Sequence, residues 1–120
     1  MKVQRLVLLA FFFTTLHAQA LTIEQVAGIY TGKMTATTSN AVTRFDQTTV
    51  IEPDGHVTLY LYPKGESQPQ VVIGFIDSLA EDGTFPVPNG EGRLSLHGKH
   101  LTLTLNLPDL TTEFQGHRTE

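Results

Sequence analysis

From Ile29 to Gln115 apolar and polar side chains alternate with a period of two, in runs broken by Gly, Pro, Asn and Asp. Successive side chains leave a strand on opposite faces, so each run offers one apolar face to a core and one polar face to water. That pattern confines the chain to an all-β fold of seven or eight strands. In the clearest run, residues 56–62, Val57, Leu59 and Leu61 alternate with His56, Thr58, Tyr60 and Tyr62. A late run, residues 100–107, sets Leu101, Leu103, Leu105 and Leu107 against Thr102, Thr104 and Asn106.

The turns are as legible as the strands. Pro53-Asp54-Gly55 suits a tight hairpin, because Pro presets φ and Gly accepts a positive one. Gly98-Lys99 joins residues 92–97 to 100–107 as a two-residue hairpin, and Asn89-Gly90 and Pro108-Asp109 turn the chain again. Residues 71–76 are apolar on both faces, which predicts a central or covered strand. Pro86 and Pro88 assign residues 84–87 to an edge or a bulge, since proline cannot donate to a ladder. Residues 117–120 read as a frayed tail.

Consecutive strands with short turns predict an antiparallel up-and-down meander. Such a sheet leaves exposed edges unless it closes, and the expected form is a small seven- or eight-stranded barrel with the last strand beside the first. A two-sheet sandwich is the alternative. Thr22 and Gln25 stand at capping-box spacing, which predicts a short N-terminal helix that Gly28 ends within two turns. Phe45, Phe75, Leu59, Leu61, Leu103 and Leu105 are the expected inward residues, enough to fill a barrel of this size.

Residues 1–20 have the form of a cleaved signal peptide. Lys2 and Arg5 precede an apolar run over residues 6–16, and Ala18-Gln19-Ala20 has the small-x-small end of a cleavage site. The run is shorter than the ~20 residues that cross a bilayer. Residues 21–120 are then a single domain working in the periplasm or outside the cell. In it six basic side chains stand against twelve acidic ones, a formal charge of −6 with neutral histidines. A field of that sign disfavours nucleic acid, whose phosphates need Lys and Arg, and anionic membrane surfaces. The chain has no cysteine. That excludes disulfides, thiol nucleophiles, cysteine-ligated metals and the acylated cysteine of a lipoprotein anchor.

Three stretches carry a resemblance: Gly28-Ile29-Tyr30-Thr31-Gly32 after the short helix, Thr48-Thr49-Val50-Ile51-Glu52-Pro53-Asp54-Gly55 before a strand, and Gly92-Arg93-Leu94-Ser95-Leu96 followed by Gly98. Over residues 22–107 the chain resembles the lipocalin-like small barrels, and among them the NlpE-type amino-terminal domains of bacterial envelope proteins. The resemblance implies a barrel in an exported bacterial protein and no activity. NlpE-type domains are lipoproteins that typically carry Cys-x-x-Cys near the first strand; this chain has neither, so their thiol and copper chemistry does not transfer.

Candidate chemistry is sparse. The Gly98-Lys99 hairpin sets His97 opposite His100 with Cβ atoms ~5 Å apart, close enough to share a metal. Two ligands fall short of the three or four of a tight zinc site, and the plainer account is two polar residues at a turn. No Gly-x-Ser-x-Gly elbow and no Ser–His–Asp set is evident. Most carboxylates fall in turns; Asp46 and Asp77, with Arg44 nearby, are those that could point into a barrel mouth. Gly90-Glu91-Gly92 lacks the following helix of a phosphate loop. No cofactor is implied.

The expected function is an exported, non-catalytic binding protein for a protein, a glycan or a small apolar ligand; the alternative is a small enzyme with its site in the barrel mouth. The candidate binding residues are Tyr60, Tyr62 and His56, outward by the strand period, because tyrosine offers large amphipathic area at small entropic cost. No membrane anchor is expected, and the oligomeric state is open.

Overall fold

The computed structural model describes residues 21–64 and 67–119. The expected signal peptide lies outside the described residues. One helical turn, α1 (Ile23–Val26), is followed by β1 (Gly28–Thr37), β2 (Val42–Ile51), β3 (His56–Tyr62), β4 (Gln70–Phe75), β5 (Thr84–Val87), β6 (Gly90–His97), β7 (His100–Leu107) and β8 (Leu110–Arg118). At α1 the Thr22 hydroxyl accepts from the Gln25 N–H at 3.2 Å, and the Gln25 side chain accepts from the Thr22 N–H at 2.9 Å.

The strands form one antiparallel sheet in the order β4-β3-β2-β1-β8-β7-β6-β5. One eight-stranded sheet excludes the two-sheet sandwich. The last strand pairs with the first, from Tyr30 opposite Arg118 to Thr37 opposite Thr111. The meander does not close, however: β4 and β5 end the sheet without pairing, which leaves a curled half-barrel open along that seam. At this coarse level the half-barrel is consistent with a lipocalin-like fold.

The reason it stays open is local to β5. Gly83 and Leu94 are bonded across β5 and β6, since the Leu94 N–H donates to the Gly83 carbonyl at 2.8 Å. By antiparallel alternation Thr84 and Pro86 then face the seam. The Thr84 N–H donates to Asp82 Oδ1 at 3.1 Å, its carbonyl accepts from the Ala80 N–H at 2.8 Å, and Pro86 has no N–H. The chain blocks this edge itself, a common protection against strand addition.

Two strand assignments need correction. β4 is exposed at all six positions and ends the sheet, so its apolar faces mark an uncovered edge and not a central strand. Phe75, expected inward, pairs with His56 on the outer face, where its ring meets the imidazole edge-on at 5.0 Å. The cause is register: in β4 the inward positions fall to Val72, Gly74 and, beyond the strand, Ile76. Residues 117–120 are not all tail either, since β8 continues through Arg118.

The concave face holds the core, with Tyr30, Met34, Ile51, Val57, Leu94, Leu101, Leu103 and Phe114 all buried. Each such side chain contributes about 1.5–3 kcal/mol by leaving water. Glycines on the concave face make room for rings: a Cβ at Gly92 would strike the Phe85 ring and one at Gly116 the Phe114 ring.

Candidate functional site

The seam between β4 and β5 is where the fold leaves physical capacity unused. Beneath it lies a partly open cavity of about 120 Å³, walled only by apolar residues: Val72, Gly74 and Phe75 come from the β4 edge, Phe85 and Val87 from β5, and Leu105 and others from the floor. The interior is therefore not completely filled, contrary to the expectation from its inward side chains. Gly74 contributes to the space, since a Cβ there would meet nothing within 4 Å.

The β4 side of the seam also offers backbone. The Ile76 N–H donates to the Gly55 carbonyl at 2.8 Å, which makes that a bonded pair in the β3–β4 register. Alternation then turns the N–H and C=O groups of Val71, Ile73 and Phe75 away from β3 and toward the open edge. Among the described residues those groups have no partner. The same three residues carry exposed apolar side chains on the convex face, Ile73 at 72%.

Tyr60, Tyr62 and His56 share that convex face. Tyr60 is flanked by Thr48 and Val71, Tyr62 by Asp46, and His56 by Phe75. Tyr62 is exposed and Tyr60 half-buried. Together with Val71, Ile73 and Phe75 they make one apolar and aromatic patch that Phe75 joins to the cavity. His56 is held at the β2–β3 turn, where its Nδ1 lies 2.8 Å from Asp54 Oδ2 and its N–H donates to Asp54 Oδ1 at 3.0 Å. The backbone bond from His56, then the side-chain bond, holds the Asp54 carboxyl below its ordinary 3.8.

The histidines at the other end form a row. His97 is opposite His100 in β6–β7, and His100 is opposite His117 in β7–β8. The rings of His100 and His117 are 4.9 Å apart, centroid to centroid, tilted by 58°. Placing His117 in a tail obscures this second pair. Among the described residues no group of three or more His, Cys, Asp or Glu is arranged to hold a metal.

The charged candidates do not converge. Arg44, Asp46 and Asp77 are all exposed. Asp46 is paired across the strands with Lys33 at 2.6 Å.

One polar group inside was not anticipated. Gln47 is buried, its Nε2 donates to Thr49 Oγ1 at 2.9 Å, and its Oε1 has no partner among the described residues. The signal for it is visible in the alternation, where Gln47 occupies an inward position between Phe45 and Thr49. It lies outside the cavity walls, so it specifies nothing there. Compared with family models, characterised proteins and solved structures, the chain matches none.

Proposed function

We propose that the chain is an exported, non-catalytic binding protein that takes the apolar end of a ligand into the cavity between β4 and β5. The observation that carries the reading is a preformed cavity of about 120 Å³ whose walls are apolar throughout. Dry apolar cavities of about 150 Å³ admit a benzene-sized guest, so this one suits an apolar group of about six carbons. Burial at ~0.8 kcal/mol per methylene gives about 5 kcal/mol, a Kd on the order of 10⁻⁴ M before the costs of ordering.

Affinity of that order suits one end of a larger molecule. The rest of such a ligand, leaving past Phe75, meets the patch of Tyr60, Tyr62 and His56. The exposure of Arg44, Asp46 and Asp77 supports a non-catalytic role. Export rests on residues 1–20, and purified protein from the native host should have the intact mass of a chain beginning at Leu21.

The test is an NMR titration with benzene, 1-hexanol and 1-dodecanol. Saturable shifts centred on Val72, Phe85 and Leu105 are expected, and Leu105→Trp, which fills the cavity from the floor, should weaken them at least tenfold while the fold persists. Absence of saturable shifts up to the solubility of all three probes removes the reading.

A further inference from the structure

We propose that β4 is a self-association edge, at which two copies of this chain pair their β4 strands antiparallel about a two-fold axis through Ile73. This does not require a ligand in the cavity, and it competes with one for the space beside Gly74. It starts from the contrast between the two ends of the sheet. At β5, Asp82 holds the Thr84 N–H, Ala80 holds the Thr84 carbonyl and Pro86 has no N–H, so the seam-facing backbone has no donor to offer a further strand. At β4, the N–H and C=O groups of Val71, Ile73 and Phe75 point outward without partners among the described residues. Proteins guard such edges with a charge, a proline or a bulge, and residues 70–76 contain none of the three.

A second copy fits this edge because the edge is nearly a palindrome. The three outward-facing residues are spaced symmetrically about Ile73, so a two-fold axis there pairs Ile73 with its own copy and Val71 with Phe75 in both directions. Every outward N–H and C=O of the three then finds a partner. The convex face gains apolar cross-strand neighbours from side chains now in water, with Val71 at 52% and Phe75 at 51% exposure. On the concave side the same register sets Val72 opposite Gly74 of the other copy. The space beside Gly74, where a Cβ would meet nothing within 4 Å, receives the larger side chain.

Charge does not bar this occupant at β4. Residues 21–120 carry a formal charge of −6, six basic against twelve acidic, so two copies repel over most approaches. Residues 67–76 carry no charge, which makes β4 a face on which copies meet without opposing carboxylates. The contact is small: a six-residue strand is about 20 Å long, and it covers less than the ~800 Å² per partner of a standard interface. Association is therefore expected in the micromolar range or weaker.

The experiment is sedimentation velocity on protein expressed from the full 120-residue sequence, from about 1 µM to 1 mM, with three variants. Wild type should shift from monomer to dimer across that range. Ile73→Lys, on an exposed position, should keep the same thermal unfolding and remain monomeric throughout. Ile73→Cys, the sole thiol in its chain, should be joined between copies by a short bis-maleimide cross-linker, because a bonded antiparallel pair places Cα atoms ~5.5 Å apart with both side chains on one face. Thr58→Cys, on the same face but one strand inward, should not. Monomeric wild type at every concentration overturns the proposal, including the case in which it binds an added extended peptide instead. Persistent dimerisation of Ile73→Lys, or equal cross-linking at Thr58→Cys and Ile73→Cys, also overturns it.

Discussion

The guanidinium of Arg118 lies over the ring of Tyr30, 5.3 Å from its centroid, and its Nη2 donates to the Tyr30 hydroxyl at 2.7 Å. That hydroxyl donates in turn to the Val26 carbonyl at 2.7 Å, and Nη2 also reaches the carbonyls of Gln25 and Ala27 at 3.0 and 3.2 Å. One side chain from the end of β8 thus ties β1 to the carbonyls that α1 leaves unpaired. Close approach is possible because residue 28 is glycine: a Cβ there would lie 2.9 Å from Arg118 Nε, and its φ is +154°.

Arg118→Met should therefore destabilise the fold by about 2–3 kcal/mol, the cost of removing the charged donor from the buried Tyr30 hydroxyl, which keeps only its bond to Val26, and from the carbonyls of Gln25 and Ala27. The loss stays below the sum of the bonds removed, because Arg118 Nε is itself buried without a partner. Arg118→Lys should fall between, since an ammonium cannot reproduce the planar fork. Urea denaturation measures both, and a change under about 0.5 kcal/mol for Arg118→Met would mean that the clamp is incidental.

Two exposed carboxylates should give the fold an acid-sensitive component. Hydrogen bonds from His56 hold Asp54 below its ordinary 3.8, and bonds from the Thr84 hydroxyl and N–H do the same for Asp82. A carboxyl depressed in the fold stabilises fully above its unfolded pKa, and that contribution is lost as pH falls through the lower folded value. Asp54→Asn and Asp82→Asn should each lower the melting temperature slightly at pH 7. The difference from wild type should shrink below pH 3.8 and vanish once both carboxyls are protonated. A difference that persists unchanged in acid would assign the effect to something other than charge.

The strands that alternate cleanly are legible from residues alone, because burial on one face is a local property. Val57, Leu59 and Leu61 define the inward side of β3, which at once puts Tyr60, Tyr62 and His56 on the outside. β4 is different. An apolar pattern on both faces reads the same whether a strand is covered or forms an unguarded edge, and the answer depends on where the sheet stops. It stops because Asp82 and Ala80 cap β5, a fact spread over a loop that carries no distinctive motif. Arg118 is similarly opaque, since its partners lie some ninety residues earlier in the chain. The cavity depends on sheet curvature, which no period encodes.

The histidine row should bind zinc or copper only weakly, and through a different pair from the one the hairpin suggests. His100 stands between His97 and His117, and its ring is against that of His117. Two imidazoles without a third ligand give affinity in the micromolar range or weaker. His100→Ala should abolish binding in calorimetry, whereas His97→Ala should leave most of it. Equal losses in the two variants would return the site to the His97–His100 turn.

The convex tyrosines separate binding from folding. Tyr60 and Tyr62 project from β3 away from the concave core, between Thr48, Asp46 and Val71. Replacing both by alanine removes surface contacts but opens no cavity, so the double variant should lose no more than about 1.5 kcal/mol and keep a cooperative transition. Ile51→Ala, on the buried side of the neighbouring β2, should cost about 2–5 kcal/mol. In native mass spectrometry of protein isolated from its own host, any ligand or partner retained by wild type should be missing from the tyrosine variant. It should persist in Thr102→Ala, a convex-face change on the far side of the sheet. If the double variant is destabilised as severely as Ile51→Ala, the two rings hold β2, β3 and β4 together and the patch is not a recognition surface.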